Sequence, residues 1–181
     1  MQPVFFMYNC GMQPSGFLIM GVSGSGKSTL GKALAQKLGW DFYDADNFHS
    51  VDNIARMTAG IPLTDSDRAP WLGALNYQLK STLAANRHPV LACSALKEKY
   101  RAWLLDGVGE IAVLYLKGNY EEIRSRLLKR EGHYMKENML QSQFEVLEEP
   151  DGSVVLDVSM PLDQMLDTIF TRYPTLMRPI K

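Results

Sequence analysis

Residues 21–28 read Gly-Val-Ser-Gly-Ser-Gly-Lys-Ser, which matches the phosphate-loop pattern G-x-x-x-x-G-K-[ST] at every fixed position. An apolar run at residues 17–20 predicts a strand before it, and apolar spacing at residues 27–38 predicts a helix after it. Glycines let main-chain N–H groups converge on phosphate, and the helix start adds the positive end of its dipole. Lys27 offers a point charge to the outer phosphates, and Ser28 offers a hydroxyl to Mg²⁺. The stretch therefore predicts a nucleotide site.

The rest of the chain alternates short apolar runs with helical patterns. Further strands are predicted at residues 41–44, 89–93, 111–116 and 153–157. Further helices are predicted at residues 52–58, from Ser66 or Asp67 to about 85, and at 96–105, 120–130, 137–147 and 162–172. Strands separated by helices predict an α/β fold, in which helices cover both faces of a parallel sheet. We expect one domain over residues 16–181 behind a flexible leader, residues 1–15.

Composition argues against several classes of partner. The 181 residues contain 19 Lys+Arg and 20 Asp+Glu, a formal net charge of −1, so the usual electrostatic case for a nucleic-acid binder or an anionic-membrane binder is absent. No apolar run reaches the length of a membrane span. Cys10 and Cys93 cannot make a disulfide framework, and no Cys/His cluster has zinc spacing. These features predict a cytoplasmic protein that binds neither nucleic acid nor membrane.

Two carboxylates follow the second predicted strand. Residues two apart in an extended segment project to the same side, so Asp44 and Asp46 are expected to face one crevice beyond the strand. One can hold the water ligands of Mg²⁺, and the other can orient and deprotonate an acceptor hydroxyl. The alternative is a non-catalytic nucleotide switch. The N-K-x-D base-reading motif of GTPases is absent, and the acid pair also argues against a switch.

Charged residues cluster in three further places. The first cluster lies within residues 49–68 and consists of His49, Arg56, Asp65, Asp67 and Arg68. The second follows the third strand and contains Ser94, Lys97, Tyr100 and Arg101, where two cations could bind an anionic acceptor. The third occupies the predicted helix at residues 120–130, which is rich in basic residues. Arg126 and Arg130 lie four residues apart and share a helix face, where a bound phosphate would relieve their repulsion. We therefore predict a lid around residues 124–137 that closes on the nucleotide.

Six sequence blocks carry a resemblance to a known family. They are G-V-S-G-S-G-K-S-T at 21–29, D-A-D-x-x-H at 44–49, G-I-P-L-T-D-S-D-R-A-P-W-L at 60–72, C-S-A-L-K-x-x-Y-R at 93–101, S-R-L-x-x-R-x-G-H-Y at 125–134 and Q-F-E-x-L-E-x-P at 143–150. Over about residues 16–174 the chain resembles the gluconokinases, small P-loop kinases related to shikimate kinase and the nucleoside monophosphate kinases. The resemblance implies a three-layer αβα P-loop kinase fold with sheet order 2-3-1-4-5. It also implies ATP with Mg²⁺ as donor, D-gluconate as acceptor, 6-phospho-D-gluconate as product, and is compatible with a homodimer.

The resemblance also assigns residues, position by position. Catalysis falls to Lys27, Asp44 and Asp46, with Ser28 and Asp44 on the metal side and Asp46 towards the acceptor hydroxyl. ATP is assigned to Gly21, Val22, Ser23, Gly24, Ser25, Gly26, Lys27, Ser28 and Thr29, and the helix spacing noted above adds Arg126 and Arg130. The acceptor is assigned to Asp46, His49, Arg56, Arg68, Lys97, Arg101, His133 and Gln143. Thr64 and Ser66 depart from the residues usual in the family. Another small-molecule kinase, shikimate-like or acting on nucleoside monophosphates, is the remaining alternative.

Overall fold

The computed structural model describes residues 13–129 and 137–177, which form one sheet with helices on both faces. The strands are β1 (Gly16–Met20), β2 (Asp41–Asp44), β3 (Pro89–Ala92), β4 (Ile111–Lys117) and β5 (Val154–Asp157). The helices are α1 (Lys27–Leu38), α2 (Val51–Thr58), α3 (Asp65–Ala84), α4 (Glu98–Leu105), α5 (Tyr120–Leu128), α6 (Glu137–Glu145) and α7 (Leu162–Arg172). Short 3-10 helices span Ala45–Phe48 and Pro174–Met177.

The sheet is parallel throughout and has the order β2-β3-β1-β4-β5, which confirms the predicted fold class and strand order. Strand β1 lies at the centre, where Ile19 aligns with Ala92 of β3 on one side and with Leu114 of β4 on the other. In a parallel sheet of this kind, ligands bind beyond the carboxyl ends of the strands. The loop that follows β1 therefore opens at the middle of the ligand-binding edge.

Two apolar layers enclose the sheet because successive side chains of a strand point to opposite faces. From β1, Phe17 and Ile19 pack in the layer that contains α1, α5 and α7. Leu18 and Met20 pack in the layer that contains α3 and α4. All four of these side chains are fully buried, so β1 carries a continuous apolar run rather than an alternating one.

Several predicted helix bounds are wrong, and for α3 and α4 the structure shows a local reason. Helix α3 begins at Asp65 rather than after Ser66 or Asp67, because Thr64 caps it in a reciprocal pair with Asp67. Helix α4 begins at Glu98 rather than residue 96, since Lys97 is extended and the preceding Ala95 has φ +42°. Helices α5 and α6 end two residues earlier than predicted, at Leu128 and Glu145.

Residues 1–12 of the predicted leader lie outside the described residues. Ser15, at the end of that leader, is held through both polar groups of its main chain. Its N–H donates to Glu110 O at 2.7 Å, and its carbonyl oxygen lies 2.9 Å from the side-chain Nδ1 of His88. Across residues 13–129 and 137–177, no helix combines the length and the apolar character needed to cross a bilayer.

A matched pair of glycine substitutions tests how closely α1 packs on β2. A Cβ at Gly31 would lie 2.5 Å from Phe42 Cε2, whereas a Cβ at Gly73, inside α3, would meet nothing within 4 Å. Both Gly→Ala changes bring the same gain in helix propensity, about 1 kcal/mol. We therefore expect Gly31→Ala to be less stable than Gly73→Ala by an overpacking cost of about 1–3 kcal/mol in urea unfolding. Equal stability of the two variants would contradict the close contact.

Candidate active site

The predicted phosphate loop connects the end of β1 at Met20 to the start of α1 at Lys27. Gly24 has φ +83°, and a Cβ at this position would lie 2.7 Å from Leu127 Cδ2 of α5. The loop therefore has no room for a side chain at Gly24, and its main chain can approach a ligand directly. Gly26, with φ +103°, occupies the cap position of α1, so the amides of the first helical turn point into the loop.

Lys27 lies over the beginning of this loop. Its Nζ donates to the carbonyl oxygens of Gly21 at 3.1 Å and Val22 at 3.0 Å. Lys27 as a whole residue is half-buried. A single positive charge therefore lies on the main chain of the loop, as a site for polyphosphate requires.

Ser28 joins the phosphate loop to the carboxylate at the end of β2. Its hydroxyl donates to Asp44 Oδ2 at 2.6 Å. A hydroxyl beside a carboxylate is an all-oxygen ligand pair of the kind that Mg²⁺ prefers. Within the described part of the chain, no group of three or more His, Cys, Asp or Glu side chains could hold a metal ion. A site with two protein ligands suits Mg²⁺ in a kinase, where water and substrate phosphates complete the shell.

Asp46 lies beside Asp44, but for a different reason from the predicted one. The segment is not extended: Ala45–Phe48 is a 3-10 helix, and Asp44 caps it by accepting the Asp46 N–H on Oδ1 at 3.2 Å. The two acids are thus linked through a main-chain bond rather than through strand alternation. The Asp46 side chain is exposed, so its carboxylate is open to a ligand.

His49 packs against α3 close to the acid pair. Its ring stacks on Trp71 with centroids 4.4 Å apart, and Trp71 Nε1 donates to Ala45 O at 2.8 Å. Burial lowers the pKa of His49 below its usual value, an effect that the negative charge of Asp46 opposes and the positive charge of Arg68 reinforces. The imidazole is therefore neutral at physiological pH, and its buried Nδ1 has no hydrogen-bond partner among the residues that the structure describes.

The two predicted arginines of this region come from α2 and α3. Arg56 Nη2 lies 3.5 Å from Asp67 Oδ2, and Arg56 lines a cavity of about 760 Å³ between these helices. Arg68 Nη1 donates to Leu63 O and to Tyr100 Oη, the latter at 3.4 Å. The structure thus brings Arg68 from α3 into contact with α4.

Tyr100 organises the cations of this region, and our sequence analysis assigned it no role. Its ring centroid lies 5.4 Å from the Arg68 guanidinium, 5.7 Å from Lys97 Nζ and 5.6 Å from Lys99 Nζ. Asp65 accepts hydrogen bonds from Lys99 Nζ and, at 2.5 Å, from Tyr100 Oη. The bond from Lys99, followed by that from Tyr100, lowers the pKa of Asp65 to about 2. The only sequence signal was the position of Tyr100 three residues after Lys97.

Three other predicted site residues occupy places that the sequence did not indicate. Arg101 is buried, and its Nη1 donates to the carbonyls of Ala95 at 3.0 Å and Leu96 at 3.2 Å, so it supports the turn before α4. Gln143, predicted for the acceptor, accepts the Ser23 N–H of the phosphate loop on Oε1 at 2.7 Å. Arg126 donates from Nη2 to Val158 O, just after β5. Arg130 and His133 lie outside the described residues, as does half of the predicted lid, residues 130–136.

Groups suited to phosphate gather after the central strand, whereas carboxylates and cations suited to an acceptor gather after β2 and β3. This arrangement on a parallel sheet defines a P-loop kinase. The family model described as shikimate kinase matches residues 23–155. A probable gluconokinase from Mus musculus is 45% identical over 170 residues, which cover 82% of this chain and 92% of that protein.

Two further relatives agree. The thermoresistant gluconokinase of Escherichia coli (strain K12) is 42% identical over 151 residues, covering 81% of this chain and 86% of that protein. The crystal structure of a gluconokinase from Sinorhizobium meliloti 1021 has a TM-score of 0.80 and 40% identity, covering 90% of this chain and 93% of that one. The chain belongs to the gluconokinase family, which confirms the resemblance drawn from the sequence. Membership of this P-loop kinase family implies the use of ATP.

Proposed function

We propose that this protein transfers the terminal phosphoryl group of ATP to D-gluconate and releases ADP and 6-phospho-D-gluconate. The observation that carries the proposal is the 2.6 Å hydrogen bond from Ser28 to Asp44, because it joins the phosphate loop directly to the acid pair. The similarity to gluconokinases over most of the chain supports gluconate as the acceptor. A cytoplasmic location and a homodimer stay predictions from the sequence.

The donor side works by charge and position. In phosphoryl transfer the negative charge spreads over the oxygens of the transferred group, and catalysis consists mainly of aligning and stabilising that charge. Main-chain amides around Gly24 and at the start of α1 bind the phosphates, and Lys27 Nζ moves from the carbonyls of Gly21 and Val22 onto phosphate oxygens. Arg126, at the end of α5, is our candidate for a further contact with the nucleotide.

Ser28 and Asp44 are the residues that would hold Mg²⁺, Ser28 by direct coordination and Asp44 through the ion's water. Held there, Mg²⁺ would supply positive charge that offsets the negative charge of the nucleotide phosphates. Asp44 has a second task on its other oxygen, because Oδ1 accepts the Asp46 N–H. The same carboxylate thus fixes the position of the residue that faces the acceptor.

On the acceptor side, Asp46 accepts the proton of the attacking hydroxyl. As that O–H bond breaks, the hydroxyl oxygen forms a bond to the terminal phosphorus, and the bond from phosphorus to the bridging oxygen of ADP breaks. Neutral His49 is our candidate for a hydrogen bond to a hydroxyl of the acceptor. Arg68 and Lys97, both beside the Tyr100 ring, are our candidates for the carboxylate of gluconate, which suits an arginine fork.

A comparison of acceptors tests the proposal. The protein with Mg-ATP is offered gluconate, shikimate or a nucleoside monophosphate, and ADP release is followed by a coupled assay. We expect gluconate to exceed the other acceptors by about 10²–10⁴-fold in kcat/KM, because a mismatched acceptor would leave polar groups of the site unpaired in the complex. Preference for shikimate or for a nucleoside monophosphate would move the protein to that class of kinase. ATP binding without acceptor-stimulated ADP release would indicate a non-catalytic switch.

A further inference from the structure

One segment contacts both halves of the site. It comprises residues 143–149, from the last turn of α6 towards β5, and we call it the strap. At its start, Gln143 Oε1 accepts the Ser23 N–H of the phosphate loop at 2.7 Å. Near its other end, the Glu148 N–H donates to Leu96 O at 2.9 Å. Between these two contacts, half-buried Leu147 packs against both apolar layers, so the strap is anchored in the core.

Glu148 also supplies a cap that α4 lacks in its own sequence. The cap position of α4 is Lys97, whose side chain has no acceptor and makes no capping bond. Glu148 Oε2 accepts the Glu98 N–H at 2.5 Å and places a negative charge at the positive end of the helix. Glu148 therefore makes one hydrogen bond on each side of Lys97.

The turn that carries Lys97 has a backbone that needs such support. Ala95 has φ +42°, a left-handed conformation that a residue with a Cβ rarely adopts. The buried Arg101 guanidinium holds the carbonyls of Ala95 and Leu96 from inside, and Glu148 holds Leu96 and Glu98 from outside. The Gly21 N–H donates to Ser94 O at 3.4 Å, so this turn and the phosphate loop are also direct neighbours.

We propose that the strap keeps the phosphate loop and the Lys97 turn in a fixed relative position, with Gln143 and Glu148 as positioning residues. Gln143 acts on ATP through the Ser23 amide, and Glu148 acts on the acceptor carboxylate through Lys97. The inference rests on the proposed function, which assigns Lys97 to gluconate. A displacement of about 1 Å can cost up to about 10²-fold in rate. Since the two ends of the strap support the binding of different substrates, loss of each end should change a different Michaelis constant.

The Glu148 end is tested by separating the two Michaelis constants. Glu148→Ala removes the side-chain bond to the Glu98 N–H and keeps the main-chain bond to Leu96 O. It is expected to raise the KM for gluconate by about tenfold, the equivalent of that one lost hydrogen bond, with the KM for ATP unchanged within about twofold. Glu148→Gln keeps a neutral oxygen acceptor for the Glu98 N–H and should restore most of the affinity for gluconate. The control is Glu145→Ala. Within the described residues, exposed Glu145 bonds only Gln141 on its own helix, so both constants should stay unchanged.

The Gln143 end gives the opposite split. Gln143→Met preserves the length of the side chain but removes the acceptor for the Ser23 N–H. We expect the KM for ATP to rise by about tenfold while the KM for gluconate stays within about twofold. Thermal unfolding of each variant shows that it is folded at the assay temperature.

If Glu148→Ala and Gln143→Met change the KM for ATP and the KM for gluconate equally, or change neither, the proposal that the strap positions the two parts of the site is wrong. Lys97→Ala separates this failure from a failure of the proposed function. If Lys97→Ala leaves the KM for gluconate unchanged, the assignment of Lys97 to the acceptor is wrong, and the strap has nothing to position. If Lys97→Ala raises this KM but Glu148→Ala does not, the strap alone is wrong.

Discussion

Replacing Lys27 with alanine is expected to lower kcat by about 10³–10⁵-fold, the range found when a cation that stabilises the transferring phosphoryl group is removed. Lys27 Nζ lies within 3.1 Å of two carbonyls of the phosphate loop, and the proposed function assigns it to the outer phosphates. Alanine favours the helical conformation at this first position of α1, so the variant should remain folded. The measurement is the rate of ADP release at saturating ATP and gluconate.

The matched control is Lys37→Ala, which removes an exposed lysine from the last turn of the same helix. Its activity should equal that of the unchanged protein, because the charge lies at the opposite end of α1. Normal turnover by Lys27→Ala would mean that residues 21–28 do not bind the nucleotide phosphates. Circular dichroism of both variants excludes unfolding as the cause of lost activity.

Asp46→Asn is expected to lower kcat by about 10²–10⁴-fold, the usual contribution of a general base. Asparagine keeps the shape of the side chain but cannot take the proton of the acceptor hydroxyl. The main-chain N–H of residue 46 still donates to Asp44, so the 3-10 turn and the metal side should be preserved. The KM for ATP should consequently stay within about twofold, because the lost group acts in the transition state and not on the nucleotide.

Asp167→Asn is the control for charge, since Asp167 is an exposed carboxylate on α7, in the other helical layer. It should leave both kcat and the Michaelis constants unchanged. A kcat for Asp46→Asn above about a tenth of normal would assign proton transfer to another group. Single-turnover kinetics with preformed enzyme–ATP complex measure the phosphoryl transfer itself, independently of product release.

The sequence was most informative where the contacts are local. Residues 21–28 carry the phosphate loop in consecutive positions, and alternation of apolar runs with helical patterns was enough to predict a parallel sheet. Helices α1 and α7 have the bounds that their periodicity predicts. The strand order itself came from the resemblance, since hydrophobic periodicity does not determine which strands are neighbours.

Prediction was weaker where a side chain's partner is distant along the chain. Gln143 and Ser23 are 120 positions apart, so nothing near either residue indicates their hydrogen bond. The sequence assigned Arg101 to an anionic acceptor on the same grounds as Lys97, because both are cations after the third strand. In the folded chain, however, the Arg101 guanidinium is buried against two carbonyls. The left-handed Ala95 also lacked a signal, because that conformation is usually marked by glycine or asparagine.

The bonds from Lys99 and Tyr100 to Asp65 have a consequence for work in mildly acidic solution. With a pKa of about 2, lowered first by Lys99 and then by Tyr100, Asp65 stays ionised until the solution is far more acidic than the ordinary range of carboxylic acids. A free sugar acid titrates near pH 4, like other simple carboxylates, and so loses its charge first. Under the proposed function, acidification therefore weakens gluconate binding by protonating the carboxylate of gluconate, while Asp65 beside the binding cations stays ionised.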